Sequence, residues 1–201
     1  MNLDTVRKTF TEWAPFYDPT HGWTLPKRRT ARRALGLRPG DRVLDLACGT
    51  GLNFPHLREL VGERGQVVGV DLTPAMLDIA RKMIAIKGWK NVEVREADAA
   101  HLPFPDASFD KVIISFALNI IPEYMEAIEE VQRILIPGGR FVALEMRARI
   151  HALPTWLQLV LHICAVDMSH DTLSAIQRVF PDVAVHNYWT KMIFMAVAKK
   201  R

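Results

Sequence analysis

Val43-Leu44-Asp45-Leu46-Ala47-Cys48-Gly49-Thr50-Gly51 decides the fold. An apolar run meets an acid and then a loop of small residues. Twenty residues after Gly51 a second acid, Asp71, closes the run Val67-Val68-Gly69-Val70. That order spells strand, tight turn, helix and strand, with an acid placed to accept hydrogen bonds from a ribose. A dinucleotide fingerprint read from Ala47 requires glycine where Leu52 stands, and no Gly-Lys-Ser/Thr follows to make a phosphate-binding loop. What remains is a nucleoside-binding loop with no pyrophosphate to hold.

Working outward, short apolar runs at 42–47, 67–71, 92–96, 111–115 and 140–145 suit strands buried on both faces of a parallel sheet. Between the second and third, Thr73 stands at an N-cap and Pro74 at the first helical position. Met76, Leu77, Ala80, Met83 and Ile84 then form one apolar stripe, and Gly88 lies where a helix ends. A helix is expected over 123–134, stopped by Pro137-Gly138-Gly139. Two final strands are expected at 183–188 and 191–198. No repeat, low-complexity tract or inter-domain linker interrupts the chain.

The composition agrees. The chain has 201 residues, 49% of them hydrophobic, and a mean hydropathy near zero. These values describe one folded domain with a sizeable core. Cys48 and Cys164 make neither a disulfide framework nor a metal cluster and read as reduced thiols of a cytoplasmic protein. The N-terminus lacks an apolar signal region. The apolar stretch 156–168 is too short to span a bilayer.

Three further segments extend the pattern. Asp98-Ala99 follows the third strand-like run. Leu102-Pro103-Phe104-Pro105-Asp106-Ala107-Ser108-Phe109-Asp110 leads into Val112-Ile113-Ile114, and Leu135-Ile136-Pro137-Gly138-Gly139 leads into Phe141-Val142-Ala143-Leu144. Together with the first loop, these resemble the motifs of class I S-adenosylmethionine (SAM) methyltransferases over roughly residues 39–145. The resemblance implies an α/β, Rossmann-like, seven-stranded sheet with helices on both faces and the last strand antiparallel. It implies SAM as cofactor.

The expected cofactor contacts follow. Gly49 and Gly51 leave amides free for the methionine portion, with Ala47 small enough to share their loop. Asp71 accepts from the ribose hydroxyls. Leu72 and Met76 flank the adenine, although Met76 also belongs to the core stripe. Asp98 and the Ala99 amide meet the adenine edge. Asp45 lies under the loop, holding its amides or the cofactor amino group. Tyr17 and Ser115 complete the set.

The chain divides into an N-terminal helical lid (1–38), a SAM-binding core (39–145), an acceptor-side insert (146–182) and a C-terminal strand pair (183–201). Phe10, Trp13, Ala14 and Tyr17 share a helical face. Tyr17, Trp23, Phe116, Asn119 and Trp156 are expected to line an acceptor pocket. Lys27, Arg28, Arg29, Arg32 and Arg33 run without an acid among them, and the sequence pI is about 9.2. Residues 13–33 therefore suggest an anionic membrane surface as partner, peripheral on the inner face, against the plainer reading of a solvated helix face. No nucleic-acid motif is present, and none is expected as a partner.

Trp13-Ala14-Pro15-Phe16-Tyr17-Asp18 ahead of the first loop is similar to small bacterial phospholipid N-methyltransferases and to the menaquinone and ubiquinone C-methyltransferases. The quinone enzymes often carry Arg-Asn after the fourth strand, where Leu118-Asn119 stands here. The expected acceptor is the amine head group of a lipid such as phosphatidylethanolamine. Quinone C-methylation, a soluble small-molecule acceptor and SAM binding without catalysis are the alternatives. Tyr17, Asp18, His21, Asn119, Glu145 and His151 are the acceptor-side candidates, the acids and histidines as proton acceptors. Asp167, His170 and Asp171 read as the start of a surface helix, and no metal is expected.

Overall fold

The computed structural model describes residues 2–147, 167, 169–188 and 192–201. Seven strands form one sheet: β1 (Arg42–Leu46), β2 (Gln66–Asp71), β3 (Val92–Glu96), β4 (Phe109–Ser115), β5 (Leu135–Met146), β6 (Asp182–Tyr188) and β7 (Ile193–Lys199). Their order is β3-β2-β1-β4-β5-β7-β6. The first five are parallel, and β7 enters antiparallel between β5 and β6.

The N-terminal helices α1 (Leu3–Trp13), α2 (Tyr17–His21) and α3 (Leu25–Ala34) are joined by single 3-10 turns. Then follow α4 (Phe54–Val61), α5 (Pro74–Lys87), α6 (Tyr124–Ile134) and α7 (Thr172–Val179). Alternate residues of each inner strand point to opposite faces, so the sheet buries two cores. Val43, Val67, Ile113 and Val142 face α3, α4 and α5. Leu44, Val68, Val112 and Phe141 face α6 and α7. Among the described residues, no helix is long and apolar enough to cross a membrane.

Two local expectations are corrected. β5 begins at Leu135, directly after α6, so Pro137-Gly138-Gly139 lies within the strand rather than before it. The pairing with β4 jumps from Phe109↔Leu135 to Lys111↔Arg140 to absorb those residues, as a bulge does. Thr73 does precede α5, but its side chain caps no helix amide. Asp71 Oδ1 takes the Thr73 amide instead, at 2.9 Å. Gly88 ends α5 in the left-handed region, with the Trp89 amide reaching back to Ile84.

Two glycines have packing reasons that the sequence does not display. A Cβ on Gly51, whose φ is +87°, would sit 2.6 Å from the Phe54 ring. A Cβ on Gly69 would sit 2.4 Å from Phe54 and 2.8 Å from Cys48 Sγ. Both glycines let Phe54 of α4 lie against the β1–β2 crossover.

Candidate active site

The carboxyl ends of β1, β2 and β4 converge on one cavity, where ligands of such sheets sit. Ala47 and Gly49 form one wall, Asp71, Thr73 and Met76 a second, and Ser115 to Ala117 a third. Val6, Phe10 and Tyr17 close it from the N-terminal side. Its open space is about 490 Å³, counting the mouth.

Asp71 clamps the loops. Its Oδ2 accepts from the Gly49 amide at 2.8 Å and its Oδ1 from the Thr73 amide. Burial raises its pKa, against those amide bonds. The Gly49 amide is therefore already bound, and the Gly51 amide is spent in a turn to the Cys48 carbonyl. This corrects the expectation of free amides: the loop shows the cavity its surface, not spare donors. Each Asp71 oxygen keeps a further lone pair for a ligand hydroxyl.

Beneath the loop runs a buried chain. Arg32 Nη1 donates to Asn53 Oδ1 at 3.0 Å, and Asn53 Nδ2 donates to Asp45 Oδ1 at 3.0 Å. Asp45 Oδ2 is buried without a partner. Burial lifts the Asp45 carboxyl to about 6, despite the Asn53 bond and the nearby arginines.

The N-terminal helices are fastened to this core. Thr50 donates to Asp18, Arg7 pairs with Glu96 at 3.0 Å, and Tyr17 lies over Gly49. Arg28 and Arg32 turn inward and are 4% and 2% exposed. Arg28 Nε donates to Thr24 at 3.0 Å, and its guanidinium stands 5.6 Å from the Phe116 ring centroid. Two of the five cations of the expected membrane patch are thus interior, and Lys27 lies 4.2 Å over the Tyr188 ring. Arg29 and Arg33 remain exposed. The inward turn has a physical reason: Arg28, Ala31, Arg32 and Leu35 fall on one helical stripe, and that stripe faces the sheet.

Tyr17 and Phe116 also belong to a second cavity, with Trp13, His21, Asn119 and Glu145. Its open space is about 710 Å³, counting the mouth. Tyr17 stacks on His21, ring centroids 3.9 Å apart. His21 Nδ1 lies 2.9 Å from the Tyr17 carbonyl, and burial lowers its pKa. Phe116 sits at φ +59°, an uncommon backbone for a bulky residue. Glu145 is fully buried. Its Oε1 accepts from the Ala117 and Leu118 amides at 2.8 and 3.0 Å, and Asn119 Nδ2 approaches Oε2 at 3.4 Å. Burial raises its carboxyl to about 7.

The model of the ubiE/COQ5 methyltransferase family matches residues 21–159. The chain belongs to that family. As a ubiE/COQ5 family member it has SAM as its cofactor. It is 38% identical over 118 residues to the demethylmenaquinone methyltransferase of Bacillus cereus, covering 59% of this chain and 50% of that one. It is 45% identical over 111 residues to the ubiquinone/menaquinone biosynthesis C-methyltransferase UbiE of Teredinibacter turnerae, covering 55% and 45%. The match spans about half the length of these curated relatives. A SAM-dependent methyltransferase of Aquifex aeolicus shares the fold over 100% of both chains, with a TM-score of 0.71 at 21% identity.

The residues of this family member fit the cofactor chemically. Ser115 Oγ, on the cavity wall, is buried and without a partner among the described residues, while Asp71 offers lone pairs to a diol. Of the expected cofactor residues, Tyr17, Ala47, Gly49, Asp71, Met76 and Ser115 line the first cavity. Asp45, Gly51, Leu72, Asp98 and Ala99 do not. Asp98 accepts from the Ala100 amide and faces His101, and Ala99 joins the core. Of the acceptor-side candidates, Tyr17, His21, Asn119 and Glu145 share the second cavity. His151 and Trp156 lie outside the described residues, as does the Trp23 side chain. Asp171 caps α7, and His170 stacks on Tyr124.

Sequence reasoning missed Val6, Thr73 and Ile121, which line the first cavity, and the inward Arg28. Val6 stands four residues before Phe10, and Arg28 stands on the Ala31–Leu35 stripe. Helical spacing was the signal for both.

Proposed function

We propose that the protein transfers the methyl group of SAM to a ring carbon of a reduced quinone precursor. One observation carries this reading: a cavity walled by aromatic rings shares Tyr17, Phe10 and Phe116 with the cofactor cavity. Such a cavity can take a flat ring. The curated relatives named for quinone methylation support it. The quinone precursor thus displaces the amine lipid as the favoured acceptor.

The cofactor supplies an activated methyl on sulfonium sulfur. The chain supplies alignment and a dry space. Asp71 and the loop it clamps hold the cofactor ribose. Tyr17 and Phe116, shared by both cavities, set the distance between acceptor ring and donor. Val6, Phe10 and Trp13 exclude water from above.

The test is transfer of labelled methyl to a short-chain demethylmenaquinol, compared with phosphatidylethanolamine vesicles. Label on the ring carbon of the quinol supports the reading. Label on the lipid amine alone overturns it.

A further inference from the structure

We propose that Glu145 is the proton acceptor of the transfer, taking the proton of an acceptor hydroxyl on its Oε2. The proposal rests on the quinol reading above and adds the residue that makes the ring nucleophilic.

The two oxygens of Glu145 are not equivalent. Oε1 is committed to two backbone amides, Ala117 and Leu118, and holds the turn after β4. Among the described residues, Oε2 meets the Asn119 amide at 3.4 Å, and the Phe116 amide of the same turn also favours the charged carboxylate. The Asn119 amide is itself anchored on the Met146 carbonyl at 2.9 Å. Both residues border the second cavity. Glu145 exposes no surface of its own, so a ligand there reaches Oε2 by displacing the Asn119 amide from its long contact. A carboxylate kept only to hold the turn needs one oxygen. The second is buried at the wall of an apolar cavity at a cost, and structures retain such groups at functional sites.

Among the described residues, the charged and titratable groups facing Glu145 are few. Arg28 of α3 favours its charged form. Tyr17 and His21 stand on the same cavity. Across the sheet, its β7 partner is the apolar Phe194. Burial outweighs Arg28 and the amides, so the carboxyl titrates at about 7, where a general base is most effective at neutral pH. His21 is the rival: the Tyr17 carbonyl holds its Nδ1 and leaves Nε2 as the basic nitrogen, and burial lowers its pKa.

The step balances as follows. The acceptor O–H bond breaks and its proton forms a bond to Oε2. The electron pair left on oxygen is delivered through the ring to the carbon that bonds the methyl. The methyl–sulfur pair leaves with sulfur as a neutral thioether. The proton on the newly methylated carbon then leaves to solvent, its bonding pair restores the aromatic ring, and the oxygen takes its proton back from Oε2, so one net proton reaches solvent and Glu145 is reset.

The test uses Glu145→Gln in the full chain. The glutamine oxygen still accepts from the Ala117 and Leu118 amides, so the turn is kept while the base is lost. The expected result is a kcat at least roughly 100-fold lower, the lower end of what general-base catalysis contributes. Cofactor Kd should change by less than about twofold, and the melting temperature should not fall. In the parent, kcat should rise with pH through about 7, and this acid limb should be absent from the variant. A readout without turnover is the carboxylic C=O infrared absorption of the cofactor-free protein, whose component titrating at about 7 should be missing in the variant while that of Asp45 at about 6 stays. An unchanged kcat and acid limb in Glu145→Gln overturns the proposal and leaves Glu145 as the tie of the turn. So does a limb that persists there and moves with His21→Asn. If the parent itself moves no methyl to the quinol, the acceptor reading fails first, and that outcome is distinct.

Discussion

Asp71→Ala separates the two duties of one carboxylate. Without it, the buried amides of Gly49 and Thr73 lose their acceptors. Each unsatisfied amide costs about 1–3 kcal/mol, so the cofactor-free protein should lose roughly 2–6 kcal/mol. Removing a carboxylate whose charge burial disfavours offsets part of this and moves the value toward the low end. For a chain of this size each kcal/mol shifts the melting point by about 2–4 °C. The variant should therefore melt about 5–15 °C lower even without ligand. A loop expected to bind through free amides would predict no such loss. Cofactor affinity, read by calorimetry below the melting point, should fall at least about tenfold, one decade per 1.4 kcal/mol. Asp71→Asn should fall between, because its oxygen keeps one amide while its NH₂ group opposes the other. A melting point for Asp71→Ala within roughly 2 °C of the parent would refute the clamp. Unaltered affinity would refute the ribose assignment.

Arg32→Gln should cost about 1.5–3 kcal/mol in denaturant unfolding, because it removes the charged donor to Asn53 at the head of the buried Asn53–Asp45 chain. Arg29→Gln and Arg33→Gln, both exposed, should stay within about 0.5 kcal/mol of the parent. That pair is the fit variant for vesicle sedimentation, since their loss leaves the interior intact; unchanged partitioning would end the electrostatic membrane reading. Gly69→Ala should destabilise by about 1–3 kcal/mol through overpacking on Phe54; a neutral result would mean that α4 yields freely. Asp45 and Glu145 both have raised folded pKa values, about 6 and about 7. Their contribution is full below about pH 4 and is lost as pH rises through those values, on the order of 2–3 kcal/mol each. Asp45→Asn should flatten the lower part of that loss in unfolding measured from pH 5 to 8, and an identical slope would remove Asp45 as its source.

The sequence by itself determined the sheet and the loop at its mouth. Buried parallel strands need continuous apolar runs, and Val43–Leu46 and Val67–Val70 show them without any partner in view. Gly88 and Pro74 mark the ends of α5 because backbone conformation there is a local property. The two cavities required the tertiary structure. Arg28 and Arg32 looked like a solvated or membrane-facing charge run, since charge alone does not say which way a helix turns; packing of Ala31 and Leu35 on the sheet turned them in. Glu145 was one acid among several until pairing of β4 with β5 set it under the Ala117 and Leu118 amides, some 27 residues away in the chain. Asp71 was legible as a ribose acceptor, but its grip on Gly49 spans 22 residues and forms only when β1 and β2 align. Local spacing encodes elements; which buried polar atoms meet depends on contacts between elements that no single stretch contains.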